Sequence, residues 1–402
     1  MSEVNESPWA TPFDAVLVLE DGRAFPGRAF GARVQSVGEI VFNTSMTGYQ
    51  EILTDPSYAG QLVTMTSSHI GNYGVNTADM ESRQIWSRGM IVRSISEQPS
   101  SWRASMSLPE WFEEQGIVGI SEVDTRALTR HIRDKGVMKA IIAPGKGVED
   151  AEELRALLDN APDYGEEDFV SRAMVKEELP ASARQSDELY GEHLVFEASE
   201  QGDDGSQGED APDVVVLDFG AKHSILRLLS ARGCRVTVLP GFSTPDEIRA
   251  HEPDGVLLSN GPGDPAVLDE LVANLTQIIG EQPTFGICLG HQVLARVTGA
   301  TTYKLPFGHR GPNQPVKNLS SGKVAMTSQN HGYAVDAESM PDTLEVTHIN
   351  LNDDTVAGFR HRELPVVAVQ YHPEAGPGPH DAEDFFDEFV AAIATHRNAR
   401  RS

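Results

Sequence analysis

From residue 213 onward the chain alternates short apolar runs with amphipathic stretches, and this alternation constrains the fold more than any other feature. Val214–Leu217 has the composition of a buried strand. Helical spacing follows through Ile225, Leu226, Leu228 and Leu229 and stops at Gly233. Cys234–Leu239 alternates as a second strand, and Thr244-Pro245-Asp246-Glu247 reads as a capping box with proline in the first turn. Val256–Leu258 is a third strand, Leu268–Ile279 a helix, Pro283–Ile287 a fourth strand, and residues 289–297 a further helix. Strands separated by helices of these lengths predict a parallel sheet with helices on both faces. In such sheets ligands bind at the carboxyl ends of the strands, so the turns after strands carry the functional information.

The segment before this pattern, ASEQGDDGSQGEDAP over residues 198–212, is acidic and nearly free of large apolar side chains. It cannot bury enough surface to offset its ordering entropy. The expected organisation is a smaller N-terminal α/β domain over 1–197, an acidic linker over 198–212 and the α/β domain over 213–402. In the first part, Ala15–Leu19 followed by Asp21-Gly22 reads as a strand entering a turn. Further strand-like runs lie at Ile40–Phe42 and Gln61–Met65, and Ser121–Arg133 has helical spacing. Scattered Gly and Pro predict an irregular α/β or mostly-β domain. Residues 148–195 follow no clear pattern.

A length of 402 residues accommodates two ordinary domains, and 39% hydrophobic content can fill a core in each. No apolar run is long enough to cross a bilayer, and the acidic start MSEVNESPWATPFD lacks a signal-peptide pattern. A cytoplasmic protein is expected. The net charge of −28 argues against nucleic acid as a partner. There are 8 Lys against 24 Arg. Two readings of this balance stay open: adaptation to a high-salt cytoplasm, or a GC-rich genome favouring Arg.

Only Cys234 and Cys288 occur, with no CxxC pair, so neither a disulfide framework nor a cysteine metal site is expected. Cys234 begins the alternating run CRVTVL and reads as a core residue. Cys288 lies in Gly286-Ile287-Cys288-Leu289-Gly290, a G-x-C-x-G pattern between a strand and a helix. This is the cysteine form of the nucleophile elbow, which pushes the side chain out at the top of the sheet. The helix N-terminus behind it favours the thiolate, the reactive form, and the Leu289 N–H is placed to join an oxyanion hole. A free cysteine is more often a buried packing residue, but glycines on both sides at a strand-to-helix turn favour the nucleophile.

A cysteine nucleophile needs a base, and the base an orienting group. The apolar strand Pro365–Tyr371 ends in His372-Pro373-Glu374, where Pro373 keeps His372 extended. A spacing of two lets the imidazole and the Glu374 carboxylate face one side. Alone, His372 could be an ordinary loop histidine; beside the elbow it reads as the base. Ser259-Asn260-Gly261-Pro262-Gly263 follows the third strand, and its Gly-Pro-Gly turn offers unobstructed N–H groups for an oxyanion or forms a simple turn. Thr327–Tyr333, TSQNHGY, could contact the α-amino and α-carboxylate groups of an amino acid.

Together GICLGHQ, SNGPGDP, QNHGYAV and YHPE resemble the class I (triad) glutamine amidotransferase domain, which has a flavodoxin-like sheet. The string VFNTSMTGYQEILTDPSY over 41–58, with Asp124-Thr125-Arg126, Leu128-Thr129-Arg130 and DFGAK at 218–222, extends the likeness. It is similar to the small, glutamine-hydrolysing subunits of carbamoyl-phosphate synthetases. The resemblance implies that Cys288 forms a glutamyl thioester, with His372 as base and then acid and Glu374 orienting it. It implies that Gly261 or Gly263, with Leu289, supplies oxyanion N–H groups. Ser57, Gln292, Asn330, Gly332 and Tyr333 would bind L-glutamine, Ser57 reaching in from the N-terminal domain. It further implies a large synthetase subunit that receives the ammonia and uses ATP, magnesium and bicarbonate to make carbamoyl phosphate for arginine and pyrimidine synthesis. No cofactor is then expected in this subunit, which has no G-x-x-x-x-G-K-[ST] loop.

Competing readings are another cysteine hydrolase on this scaffold, an amidotransferase serving a different synthase, and a non-catalytic partner-binding subunit. A metal site built from His291, His331, His372 and His380 lacks ligand spacing. The intact Cys288, His372 and Glu374 argue against the non-catalytic reading, and the string at 41–58 argues against a different synthase.

Overall fold

Runs such as Val214–Leu217 and Val256–Leu258 are apolar on both faces, which is what a sheet covered by helices on both sides requires. In the computed structural model, which describes residues 13–176, 179–180 and 210–401, the chain separates into two compact units. One contains the chain up to Phe42 with Gln61–Val75 and Arg88–Asp163; the other contains Asn43–Gly60, Asn76–Ser87 and the chain from Tyr164 onward. The units therefore do not divide at one linker. Segments 43–60 and 76–87, expected in the N-terminal domain, belong to the unit that holds Cys288. Of the acidic stretch 198–212, residues 198–209 lie outside the described residues.

The first unit is a closed barrel of seven strands: β1 (Ala15–Leu19), β2 (Ala24–Gly31), β3 (Ser36–Asn43), β4 (Gln61–Met65), β5 (Gly89–Ile91), β6 (Val118–Ser121) and β7 (Met138–Pro144), ordered β1-β2-β6-β5-β4-β3-β7. Closure brings β1 against β7, with Ala15 opposite Pro144 and Leu19 opposite Ala140. Helix Ala151–Asp159 covers this seam by burying Leu154 and Leu158 against Val16, Val18, Ile141 and Ala143. The helix expected at 121–133 runs from Thr125 to Lys135, because Ser121 ends β6 and the Asp124 side chain caps the helix by accepting from the Ala127 N–H.

The second unit carries a ten-stranded sheet. Its strands are β8 (Leu179–Pro180), β9 (Asp213–Asp218), β10 (Arg235–Pro240), β11 (Gly255–Leu258), β12 (Thr284–Ile287), β13 (Thr302–Asn318), β14 (Val324–Val335), β15 (Leu344–Asn350), β16 (Val356–His361) and β17 (Val366–Val369). The five central strands run β10-β9-β11-β12-β17, all parallel. In chain order this is 2-1-3-4-5, the flavodoxin-like arrangement, whose order reverses beside the first strand. Side chains alternate across it. Val214, Val216, Leu257 and Phe285 pack with Ile225, Leu229, Phe386 and Phe389 on one face. Val215, Leu217, Val256 and Leu258 pack with Leu271, Leu275, Val293 and Leu294 on the other. Cys234 is buried in the first of these cores, and burial pushes its thiol up to about 11. Beyond β17 the sheet continues through antiparallel β16, β15, β13 and β14. The polar and glycine-bearing sequences of this extension hide it from pattern reading. No helix among the described residues is long and apolar enough to cross a membrane.

Candidate active site

Cys288 follows β12 directly and caps helix Leu289–Val297, with φ 53° and ψ −101°. A residue with a Cβ rarely adopts this backbone, and it persists only where the surroundings impose it. The flanking glycines show what imposes it. A Cβ on Gly290 would lie 2.3 Å from the Leu258 carbonyl oxygen, and one on Gly286 would lie 2.7 Å from the Gly290 backbone. Strand, turn and helix thus touch backbone to backbone, and the Cys288 side chain is directed by the fold. Its N–H donates to the Val369 carbonyl at 2.9 Å. Its Sγ faces the Asn330 carbonyl at 3.6 Å and receives Gln370 Nε2 at 3.8 Å.

His372 lies just beyond β17, its N–H donating to the Ser328 carbonyl at 2.8 Å. Nδ1 meets Glu374 Oε1 at 2.6 Å, which assigns the proton to Nδ1 and leaves Nε2 for the substrate side. Nε2 has no hydrogen-bond partner among the described residues. Cys288 nonetheless lies close enough to act on the imidazole, both by charge and through a loose side-chain hydrogen bond. The same Glu374 oxygen lies 2.9 Å from Lys222 Nζ, which also donates to the carbonyls of Ala375 and, at 3.1 Å, Gly376. Cys288, His372, Glu374 and Lys222 form a buried row on strand-end loops after β12, β17 and β9.

The other sequence-derived residues divide by what they touch. Ser57 lies in the same unit as Cys288, tied there by one carboxylate. Asp55 accepts from the Ser57 N–H at 2.9 Å, from Asn260 Nδ2 at 3.3 Å and from Asn330 Nδ2 at 3.0 Å. Ser57 Oγ accepts from Asn260 Nδ2 at 3.0 Å. Gln292 spends both amide protons internally, on the Tyr333 carbonyl at 2.8 Å and Gln370 Oε1 at 3.0 Å, leaving its Oε1 as an acceptor. Gly261 packs so closely that a Cβ would meet the Phe219 carbonyl at 2.6 Å. Gly263, at φ +97°, donates its N–H to the Tyr164 hydroxyl at 3.3 Å. Gly332 lies beside Arg310, and Tyr333 is buried, 7% exposed. Leu289 opens the helix, where first-turn N–H groups lack intrahelical partners.

Two family models match the chain: "Carbamoyl-phosphate synthase small chain, CPSase domain" over residues 17–142 and "Glutamine amidotransferase class-I" over 215–392. The carbamoyl phosphate synthase small chain of Rhodopirellula baltica is 49% identical over 376 residues, 93% of this chain and 95% of that one. Those of Akkermansia muciniphila and Thermus thermophilus are 48% and 47% identical, covering 95% and 96% of this chain and 98% and 94% of theirs. The chain belongs to the carbamoyl phosphate synthase small chain family.

Charge at the site of this small-chain family member follows from burial and pairing. Burial would lower the His372 pKa, but the Glu374 carboxylate and then Cys288 outweigh it and Lys222, holding it up to about 10. Glu374 is driven the other way: against burial, Lys222 and His372 hold it down to about 2. Lys222 stays raised despite burial because Glu374, Asp55 and Glu81 surround it. Lys222, Asp55, Asn260 and Gln370 have no assigned role in the sequence reading. The rule that strand ends carry chemistry would have flagged Lys222 and Asn260, which follow β9 and β11.

The four histidines of the metal reading stand apart. His291 is buried against Phe359 and pushed down to about 3 by that burial. His331 bonds the Tyr333 carbonyl and Gln329, and His380 pairs with Glu383 at the surface. Among the described residues no group of three His, Cys, Asp or Glu side chains could hold a metal ion.

Proposed function

We propose that this chain hydrolyses L-glutamine to glutamate and ammonia through a thioester on Cys288, and delivers the ammonia to a carbamoyl phosphate synthase large chain. The observation that carries the reading is the buried row from Cys288 through His372 and Glu374 to Lys222 at the mouth of a flavodoxin-like sheet. His372, whose raised pKa favours the imidazolium, holds the thiol proton at Nε2 while the Cys288 sulfur attacks the carboxamide carbon. Its imidazolium, stabilised by Glu374, then protonates the amide nitrogen as the C–N bond breaks and ammonia leaves. A water, deprotonated by the same nitrogen, attacks the thioester and releases glutamate. The N–H groups of Leu289 and Gly261 serve the oxyanion. Ser57, Gln292, Asn330, Gly332, Tyr333 and the Gly263 turn form the glutamine pocket. ATP, magnesium and bicarbonate belong to the partner, where the ammonia becomes carbamoyl phosphate for arginine and pyrimidine synthesis in the cytoplasm.

Glutamate release by the wild-type chain and by Cys288→Ser, with and without the large chain, tests this. Release that vanishes in the variant and rises with the partner is expected. A folded wild-type chain that releases no glutamate in either condition overturns the reading.

A further inference from the structure

The barrel unit carries a basic face that its own chemistry does not use. Helix Thr125–Lys135 buries Thr125, Leu128 and Ile132 and turns Arg126, Arg130 and Arg133 outward. These lie at i, i+4 and i+7, one stripe of the helix. With Thr66, Thr125 and Thr129 they line a cavity of about 370 Å³ that no acidic side chain enters. None of the three arginines has a carboxylate partner among the described residues, whereas Arg172, Arg232, Arg235, Arg249, Arg296 and Arg360 are all paired. The Thr129 hydroxyl in the cavity is likewise buried without a hydrogen-bond partner among the described residues.

Local stability accounts for Arg133, which lies in the last turn where the helix dipole favours a cation, but not for Arg126. Arg126 sits in the first turn, where the helix dipole disfavours a cation, and that turn holds no acidic residue. In a chain with 60 acidic and 32 basic residues, three arginines on one stripe are left unpaired despite abundant available carboxylates. We propose that this face docks an acidic segment of the large chain. The choice of partner rests on the proposed function; the basic face does not. Spacing favours a peptide over a single small anion. Arg126 and Arg133 are separated by about 10 Å along the helix axis at ~1.5 Å per residue, too far for one phosphate group to engage all three evenly. Alternate residues of an extended acidic strand fall about 6.7 Å apart, close to the roughly 6 Å between Arg126 and Arg130.

The test compares wild type with the triple variant Arg126→Gln/Arg130→Gln/Arg133→Gln. Measurements are the Kd for the large chain from low to moderate NaCl, glutaminase activity without partner, and Tm. The expected result is a Kd raised about tenfold or more at low salt and a flatter salt dependence, with basal activity and Tm unchanged. A triple lysine variant, which keeps the charge, should retain most of the salt dependence. Equal Kd and equal salt slope for wild type and the glutamine variant overturn the proposal alone. Inorganic phosphate that binds wild type but not the variant, with large-chain affinity unaltered, overturns it in favour of a small-anion site. Failure of the wild-type chain to bind the large chain overturns the partner assignment, and the proposal with it.

Discussion

The Lys222 ammonium lies 2.9 Å from Glu374 Oε1, and both side chains are shut off from solvent, 2% and 0% exposed. The same carboxylate holds His372. Lys222 therefore neutralises the group that orients the proposed base, and the imidazolium formed in the reaction sees a carboxylate already shared with a second cation. That sharing restrains how strongly His372 retains its proton, because Lys222 opposes the rise that Glu374 causes.

Removing one partner of a buried ion pair strands the other charge. Lys222→Met should cost about 3–5 kcal/mol of stability and reduce glutaminase turnover. Glu374→Gln in that background should cost less than it does alone, with a coupling of about 1–3 kcal/mol. Urea denaturation of the four members of the cycle measures this. Additive costs would mean that the two residues act independently.

The pH dependence follows from the direction of each shift. His372 is raised to about 10, so the stability it contributes is complete below its unfolded value near 6.5 and is lost as pH climbs through about 10. Glu374 is lowered to about 2, so its contribution is complete above its unfolded value near 4.5 and is lost as pH falls through about 2. The Tm gap between wild type and His372→Asn should therefore be widest between about pH 4.5 and 6.5. It should narrow toward pH 10 and again toward pH 2. A gap that is constant across the range would show that the pair does not titrate as described.

Much of this site is legible in the sequence because its signals are local. The elbow needs only two glycines around Cys288, and His372 and Glu374 are two residues apart. The parallel centre of the sheet is legible for the same reason, each strand being an apolar run followed by an amphipathic helix. Long-range features are not legible. Lys222 looks like any lysine before a helix, since its partner Glu374 comes from another strand end. The barrel is set by pairings such as Ala15 with Pro144, while in its strand Ala24–Gly31, AFPGRAFG, proline and glycine interrupt any strand alternation. The strand Thr302–Asn318 is interrupted by prolines and glycines, and register shifts after Lys304 and Gly311 break its alternation.

Asp55 caps its own turn at Ser57 and ties that turn to Asn260, after β11, and to Asn330 in β14. Asp55→Asn keeps the shape but replaces one acceptor oxygen with an amide group that repels the Asn330 donor. Its effect should fall on substrate binding, with KM for glutamine rising about tenfold or more and kcat changing less, since leaving a buried donor unsatisfied costs ~1–3 kcal/mol. Steady-state kinetics with the large chain present measures the split. An unchanged KM with a collapsed kcat would place Asp55 in the chemistry itself.

The backbone at Cys288 makes a prediction that activity cannot obscure, since on the proposed mechanism any variant without the thiol is inactive. At ordinary positions glycine is less stabilising than alanine by about 0.5–1 kcal/mol, because the unfolded chain gains freedom. At φ 53° and ψ −101° the order should reverse, since glycine adopts this region without a Cβ penalty of about 1–3 kcal/mol. Cys288→Gly should therefore be more stable than Cys288→Ala by about 1 kcal/mol in urea denaturation. The reversed sign would locate stored strain at Cys288, held by the backbone contacts of Gly286 and Gly290 and exchanged for a side chain of fixed direction. The ordinary sign would mean that the turn is relaxed and that packing alone directs the thiol.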